Sequence, residues 1–312
     1  MSGPSYLRAL ERGILRQRVQ QAQERLGRCN LCPRKCGVNR LEHERGFCET
    51  GSLATVASAN PHFGEESPLV GEKGSGTIFF ASCNLKCVFC QNYEISHRMA
   101  GDEMATEELG SIMLFLQKSG CHNINFVTPS HVVPQILAAV EWSAIRGLKV
   151  PLVYNSSAYD SVATLELLKG IIDIYMPDLK CMDPEISGDI LNAPDYPDVA
   201  KGAIAEMHQQ VGHLEIDSAG LAIRGLLVRH LVMPGDAAGT REAMGFLAQR
   251  ISKNTYVNVM DQYRPCGQAV GHPVLGRAIT DSEFESAVAA AREEGISRFD
   301  RHTPFRIKFF AF

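Results

Sequence analysis

The sequence predicts an α/β chain built on an incomplete barrel of six βα units, and three observations carry that prediction. From residue 76 onward, short runs rich in β-branched and aromatic residues alternate with stretches of helical period. The runs are apolar on both faces, as buried parallel strands should be. Run after run also ends in polar side chains, and function gathers at the C-terminal ends of strands in barrels. An open doubly wound sheet shares the alternation; the polar strand ends favour the barrel.

The chain has 312 residues, 45% hydrophobic and 21% charged, long enough to bury a large core. One large catalytic domain with a small appendage is the expected organisation. A formal net charge of -4 and a pI near 6.2 argue against a chain that coats nucleic acid or an acidic membrane. No window holds the ~20 apolar residues of a membrane span, and the N-terminus does not read as a signal peptide. The expectation is a cytoplasmic protein, monomeric by default.

Taken in order, residues 5–27 lack proline and space Leu7, Leu10 and Ile14 at helical intervals, so a helix leads in. Nine Lys and Arg against Glu11 and Glu24 in residues 1–40 read as a solvated basic face. A cysteine-rich segment follows. A loop through Asn60-Pro61, then the stretch holding Gly71, Gly74 and Gly76, separates this appendage (1–60) from the barrel (61–312). Strands are expected at 77–81, 124–128, 150–154, 171–176, 226–232 and 256–260. Helices are expected at 106–118, 133–146, 161–168, 198–210, 240–251 and 281–294. The long connection at 213–225 suggests a small antiparallel excursion through Leu221, Ala222 and Ile223.

The strand ends carry Cys83; Thr128, Pro129 and Ser130; Asn155, Ser156 and Ser157; Asp178 and Lys180; Arg229 and His230; and Asp261, Gln262 and Tyr263. The last two groups are expected across the barrel mouth, where a substrate would enter.

Seven of the ten cysteines fall in two tight clusters, which in a reducing compartment means metal rather than disulfides. Cys83, Cys87 and Cys90 have the spacing CxxxCxxC directly after a predicted buried strand. A compact set of three thiols suits a 4Fe-4S cluster with one open iron. A zinc site needs a fourth ligand, from Cys121, Cys181, Cys266 or a His.

This loop, with its lead-in Gly76-Thr77-Ile78-Phe79-Phe80-Ala81-Ser82, resembles the radical S-adenosylmethionine (SAM) superfamily. The similarity is to the pyruvate formate-lyase activating enzyme-like group and extends over essentially the whole chain. It includes residues 29–40 (CNLCPRKCGVNR), 91–93 (QNY), 125–131 (NFVTPSH), 154–157 (YNSS), 177–180 (PDLK), 228–230 (VRH) and 257–265 (VNVMDQYRP). The resemblance implies a radical SAM barrel in which SAM chelates the open iron and is reductively cleaved to a 5'-deoxyadenosyl radical that abstracts hydrogen from a substrate. It implies an electron donor such as flavodoxin or ferredoxin, and a protein or peptide substrate such as a glycyl radical enzyme. Phe89 matches the aromatic position that meets the adenine. Asp178 and Lys180 match an Asp-x-Lys pair near SAM, as acceptor and countercharge. Many relatives hold the SAM amino group with a Gly-Gly-Glu-like motif where this chain has Thr128, Pro129 and Ser130. Thr128 and Ser130 then become the expected contacts, with Asn155 and Ser157 as ribose or carboxylate partners.

Cys29, Cys32, Cys36 and Cys48 supply four further thiols within twenty residues, enough for a structural zinc. A second iron-sulfur cluster acting as an electron relay is the competing reading. A non-enzymatic iron-sulfur or metal-binding electron-transfer protein is the alternative for the chain as a whole; it would not need SAM.

Overall fold

In the computed structural model, which describes residues 3–300, six parallel strands form the body of an open sheet flanked by helices. Helices α1 (Ser5–Glu11) and α2 (Ile14–Glu24) precede the cysteine-rich loop, and β1 (Ala54–His62) and α3 (Ser67–Val70) follow it. Then come β2 (Ser75–Phe80), α4 (Tyr93–Arg98), β3 (Asp102–Met104), α5 (Thr106–Lys118), β4 (Ile124–Val127), α6 (Val133–Ile145), β5 (Leu152–Ser156), α7 (Val162–Leu168) and β6 (Ile174–Pro177). The chain continues through α8 (Pro184–Leu191), α9 (Tyr196–Val211), β7 (Glu215–Ile216), β8 (Ala222–Leu231), α10 (Thr240–Phe246), β9 (Tyr256–Met260), α11 (Asp281–Glu293) and β10 (Arg298–Phe299).

The order across the sheet is β10-β9-β8-β6-β5-β4-β2-β1-β3. From β2 to β10 along this path the neighbours run parallel; β1 pairs antiparallel with β2, and β3 with β1. Among the described residues the ends do not meet, so the barrel is incomplete. All six predicted strands are present within a few residues of their expected bounds. The excursion before β8 is also present, as the antiparallel pair β7 and β8.

Side-chain alternation gives the curved sheet two different faces. Ile78, Phe80, Ile124, Phe126, Tyr154, Tyr175, Val228 and Val257 join the helices in one large core. The other face sets Val153, Ile174, Met176, Leu227 and Tyr256 together in the barrel interior.

Two expectations at the N-terminal end are corrected. The single helix over 5–27 is broken at Gly13, whose φ of 70° favours glycine and turns the chain between α1 and α2. The loop through Asn60-Pro61 is the end of strand β1, where Asn60 pairs with Thr77 and Pro61 with Gly76. Proline is tolerated there because β1 lies near the sheet edge, with only the three-residue β3 beyond it. A boundary at residue 60 therefore falls inside the sheet. Residues 1–2 and 301–312 of the two expected domains lie outside the described residues.

The first helices also share the barrel's core: Tyr6, Leu15, Val19 and Ala22 pack with residues of α6. Asp173 fastens them, accepting from the Ser5 backbone N–H (2.8 Å) and from Leu152 N–H (3.0 Å) at the start of β5. None of the described helices is long and apolar enough to cross a membrane.

Candidate active site

Directly after β2, Ser82 and Lys86 adopt left-handed φ values of 69° and 54°, which coil residues 82–90 into a compact loop. Four distant groups hold that loop. Asn84 Nδ2 donates to the Tyr159 carbonyl (2.7 Å), and Arg34 Nε donates to the Asn84 carbonyl (2.9 Å). Asn192 Nδ2 donates to the Lys86 carbonyl (2.8 Å), and Val88 N–H to the Ile190 carbonyl (3.0 Å). Such over-determination is what keeps left-handed residues in place.

The loop presents Cys83, Cys87 and Cys90 to a cavity of about 390 Å³ at the C-terminal ends of the strands. Leu85 N–H donates to Cys83 Sγ (3.3 Å) and Ser96 Oγ to Cys90 Sγ (3.1 Å). Burial pushes the Cys83 and Cys87 thiols up, while the Lys180 ammonium pulls both down. A thiol in this environment ionises on binding metal rather than by itself.

Of the predicted site residues, Phe89, Thr128, Asn155, Ser157, Asp178 and Lys180 all line this cavity. Thr128 has φ 61°, unusual for a β-branched residue, and its N–H is held by the Asn155 carbonyl (2.9 Å). The Ser157 carbonyl accepts from Tyr196 Oη (2.9 Å), which fixes the turn after β5. Lys180 Nζ donates to Asp178 Oδ2 (2.7 Å), and Arg229 Nε to Asp178 Oδ1 (2.5 Å). Arg229 Nη2 also donates to Asn155 Oδ1 (2.7 Å). Burial alone would raise Asp178; Arg229 and Lys180 outweigh it and hold the carboxyl below the usual carboxylate range.

Asn155, 3% exposed, has its Nδ2 without a partner among the described residues. A buried donor left free at a cavity wall is a site for a ligand acceptor.

Other expected residues stand elsewhere. Ser130 is buried outside the cavity lining, hydrogen-bonded to Asp160 and Tyr154. Arg229 and Gln262 reach the cavity, whereas Asp261, Tyr263 and His230 do not line it. Tyr263 Oη donates to the Leu275 carbonyl (2.8 Å). His230 is fully buried between the Leu179 carbonyl (2.7 Å) and Thr240 Oγ1 (3.0 Å). Cys181 is likewise in the core, against the Ala237 carbonyl (3.4 Å).

Glu65 was not singled out in the sequence, where it sits in an apparent linker. The segment after β1 folds across the inner face of the sheet: Leu69 joins the interior cluster, and Glu66 accepts from Asn258 Nδ2 (2.9 Å). This brings Glu65 into the cavity wall, 3.8 Å from Arg229 Nη1 with its side chain 6% exposed. Burial and the neighbouring Glu66 carboxylate push its carboxyl up to about 7. Only the adjacent Glu65-Glu66 pair hinted at it.

No family model matches the chain. It is 32% identical over 288 residues to uncharacterized protein MJ0674 of Methanocaldococcus jannaschii, covering 90% of this chain and 79% of that protein. The chain belongs to the family of that protein. Family membership thus spans both the cysteine-rich segment and the barrel. Among solved structures, it is similar to HydG, a maturase of the [FeFe]-hydrogenase, with a TM-score of 0.49 and 14% identity. That likeness covers 72% of this chain and 50% of HydG. SuiB of Streptococcus suis gives 0.46 and 12%, over 70% of this chain and 46% of SuiB. Methylornithine synthase (PylB) gives 0.45 and 14%, over 70% of this chain and 62% of PylB. The chain therefore spans less than two thirds of each of these structures.

Proposed function

We propose that this protein is a radical SAM enzyme, in which Cys83, Cys87 and Cys90 would hold three irons of a 4Fe-4S cluster and leave the fourth to SAM. One observation carries the reading. Three thiols from a single loop open onto the same cavity as an unpartnered Asn155 Nδ2 and the Asp178–Lys180–Arg229 charge network.

The donor set fits the group. Its three thiols match three irons, and two of the sulfurs already accept hydrogen bonds of the kind that tune such clusters. Three thiols alone leave a tetrahedral zinc one ligand short, whereas they match the three ligated irons of an open cluster. When bound, the cluster and SAM supply the electron transfer and the bond cleavage.

The chain's own residues bind and orient. Asn155 Nδ2 offers a donor to the carboxylate or ribose of SAM, and Phe89 offers an apolar ring against the adenine. Lys180, anchored by Asp178, sets a fixed positive charge beside the thiols. A cavity of about 390 Å³ lies near the lower end of small-molecule pockets. The cluster and SAM would share that volume, and the substrate we infer is presented from outside it, as a loop of a partner protein such as a glycyl radical enzyme would be.

The test is anaerobic reconstitution with iron and sulfide, reduction by dithionite, addition of SAM, and mass spectrometry for 5'-deoxyadenosine. Product that disappears in Cys87→Ala is expected. A full cluster that yields none would overturn the reading in favour of electron transfer alone. For the substrate, incubation with pyruvate formate-lyase should give a glycyl radical signal in electron paramagnetic resonance if the activase-like reading holds. Deoxyadenosine formation without that signal would reject it.

A further inference from the structure

The four N-terminal cysteines line a second, smaller cavity separate from that of the barrel. Backbone bonds set their loop: Cys29 N–H donates to the Val38 carbonyl (2.9 Å), Gly37 N–H to the Cys29 carbonyl (2.9 Å), and Lys35 N–H to the Cys32 carbonyl (3.1 Å). Gly46 lies so close to Cys36 that an added Cβ would stand 2.7 Å from Cys36 Sγ. That close approach lets Phe47 N–H donate to Cys36 Sγ (3.4 Å).

The charges around this cavity do not balance. Arg40 is 1% exposed; its Nε donates to the Gly51 carbonyl (2.8 Å) and its Nη1 to the His131 carbonyl (2.8 Å). Arg34 donates through Nε to Asn84 and through Nη1 to the Asn192 carbonyl (2.6 Å). In both arginines Nη2 is buried with no hydrogen-bond partner among the described residues, both side chains line the cysteine cavity, and the Arg34 guanidinium stacks over the Phe47 ring (3.9 Å to its centroid). Among the described residues neither guanidinium pairs with a carboxylate. A buried cation without a counter-charge, as Arg40 is, is costly, and neutral thiols do not supply one. A metal-thiolate centre with net negative charge does.

Four thiols lining one cavity can each take one iron of a polynuclear cluster, and unlike a redox-silent zinc such a cluster could exchange electrons with the barrel site, reached through residues 82–84.

We propose that Cys29, Cys32, Cys36 and Cys48 hold a 4Fe-4S cluster that relays single electrons to the barrel site. A low-potential flavin or iron-sulfur protein is the reductant: it loses one electron, this cluster gains it, and the barrel cluster then receives it, with no bond made or broken. Cys36 is the exposed one of the four thiols and marks the edge that meets the donor. The way inward is residues 82–84. Ser82 Oγ donates to the Cys48 carbonyl, Cys83 lines the barrel cavity, and Asn84 lines the cysteine cavity. The relay rests on the function proposed above; the cluster itself does not.

The experiment is metal and sulfide analysis of the full chain after anaerobic reconstitution, with zinc measured alongside. Wild type should carry about eight irons, and Cys36→Ala and Cys87→Ala about four each. Circular dichroism of both variants checks that they remain folded. Should Cys36→Ala fail to fold, Gly46→Ala replaces it, with loss of the same irons expected. One zinc with about four irons in wild type, or an iron content unchanged by the variant, would overturn the second cluster. If instead Cys87→Ala loses no iron while Cys36→Ala loses all of it, the barrel assignment fails and this inference stands. For the relay, reduced flavodoxin should lose its ability to reduce the barrel cluster of Cys36→Ala, while dithionite still reduces it. Equal reduction by flavodoxin in variant and wild type would sink the relay.

Discussion

Arg229 donates its Nε to Asp178 Oδ1 at 2.5 Å, while the Arg229 carbonyl accepts from Leu179 N–H at 2.8 Å. The two residues thus close the gap between the ends of β6 and β8 with both side chain and backbone. Lys180 shares the carboxylate, and Glu65 stands 3.8 Å from Arg229 Nη1, so Asp178 bridges the two cations of this wall of the cavity.

Replacing Asp178 with Asn removes that bridge and leaves Lys180 and Arg229 as neighbouring cations. Breaking a paired, largely buried charge network should destabilise the protein by roughly 3 kcal/mol. Urea denaturation of the metal-free protein measures it; an unchanged midpoint would mean that the network orients ligands without supporting the fold.

Stability should respond to pH with two opposite signs. Asp178 is held below the usual carboxylate range, so its contribution is present above that range and lost as pH falls through the depressed value. Glu65 is raised to about 7 by burial and by Glu66, so its contribution is complete below the usual carboxylate range and lost as pH rises through about 7. Urea midpoints followed from acid to neutral pH should therefore rise and then fall. In Glu65→Gln the decline near neutrality should disappear and the acid limb remain; a decline that persists would place its origin elsewhere.

Asn155→Asp keeps an oxygen for Arg229 but deletes the free Nδ2 donor. SAM affinity of the reconstituted protein should fall about tenfold, the effect of losing one hydrogen bond to a charged ligand. Equilibrium dialysis reads this directly, and undiminished binding would remove Asn155 from the SAM site.

Asp173→Ala should leave the buried N–H groups of Ser5 and Leu152 unpaired, at about 1–3 kcal/mol each. Hydrogen exchange should accelerate first in α1, which Asp173 fastens to the barrel. Uniform acceleration across the chain would show that the N-terminal helices are not a separately released unit.

Much of this architecture was legible residue by residue. Strands such as Tyr256–Met260 stand out because five consecutive residues are buried, which leaves an apolar run in the sequence. The barrel cysteines were legible from spacing, since one eight-residue loop carries all three. Asp178 and Lys180 were legible from position, two residues apart after β6. Glu65 was not, because its partner Arg229 lies 164 positions away and nothing local marks the segment that carries it as an inward fold. The unpaired guanidinium nitrogens of Arg34 and Arg40 were equally hidden, because a missing counter-charge exists only in three dimensions.

Sequence alone determined the alternation of strands and helices and the two sets of thiols, because those patterns depend on neighbours within a few residues. Tertiary structure decided which polar side chains meet. Arg229 and His230 are adjacent, yet strand pairing sends one into the cavity and the other into the helix-covered core, since successive strand residues face opposite ways. Only the pairing of β8 with β6 and β9, set by residues far apart in the chain, selected which of the two would face the thiols.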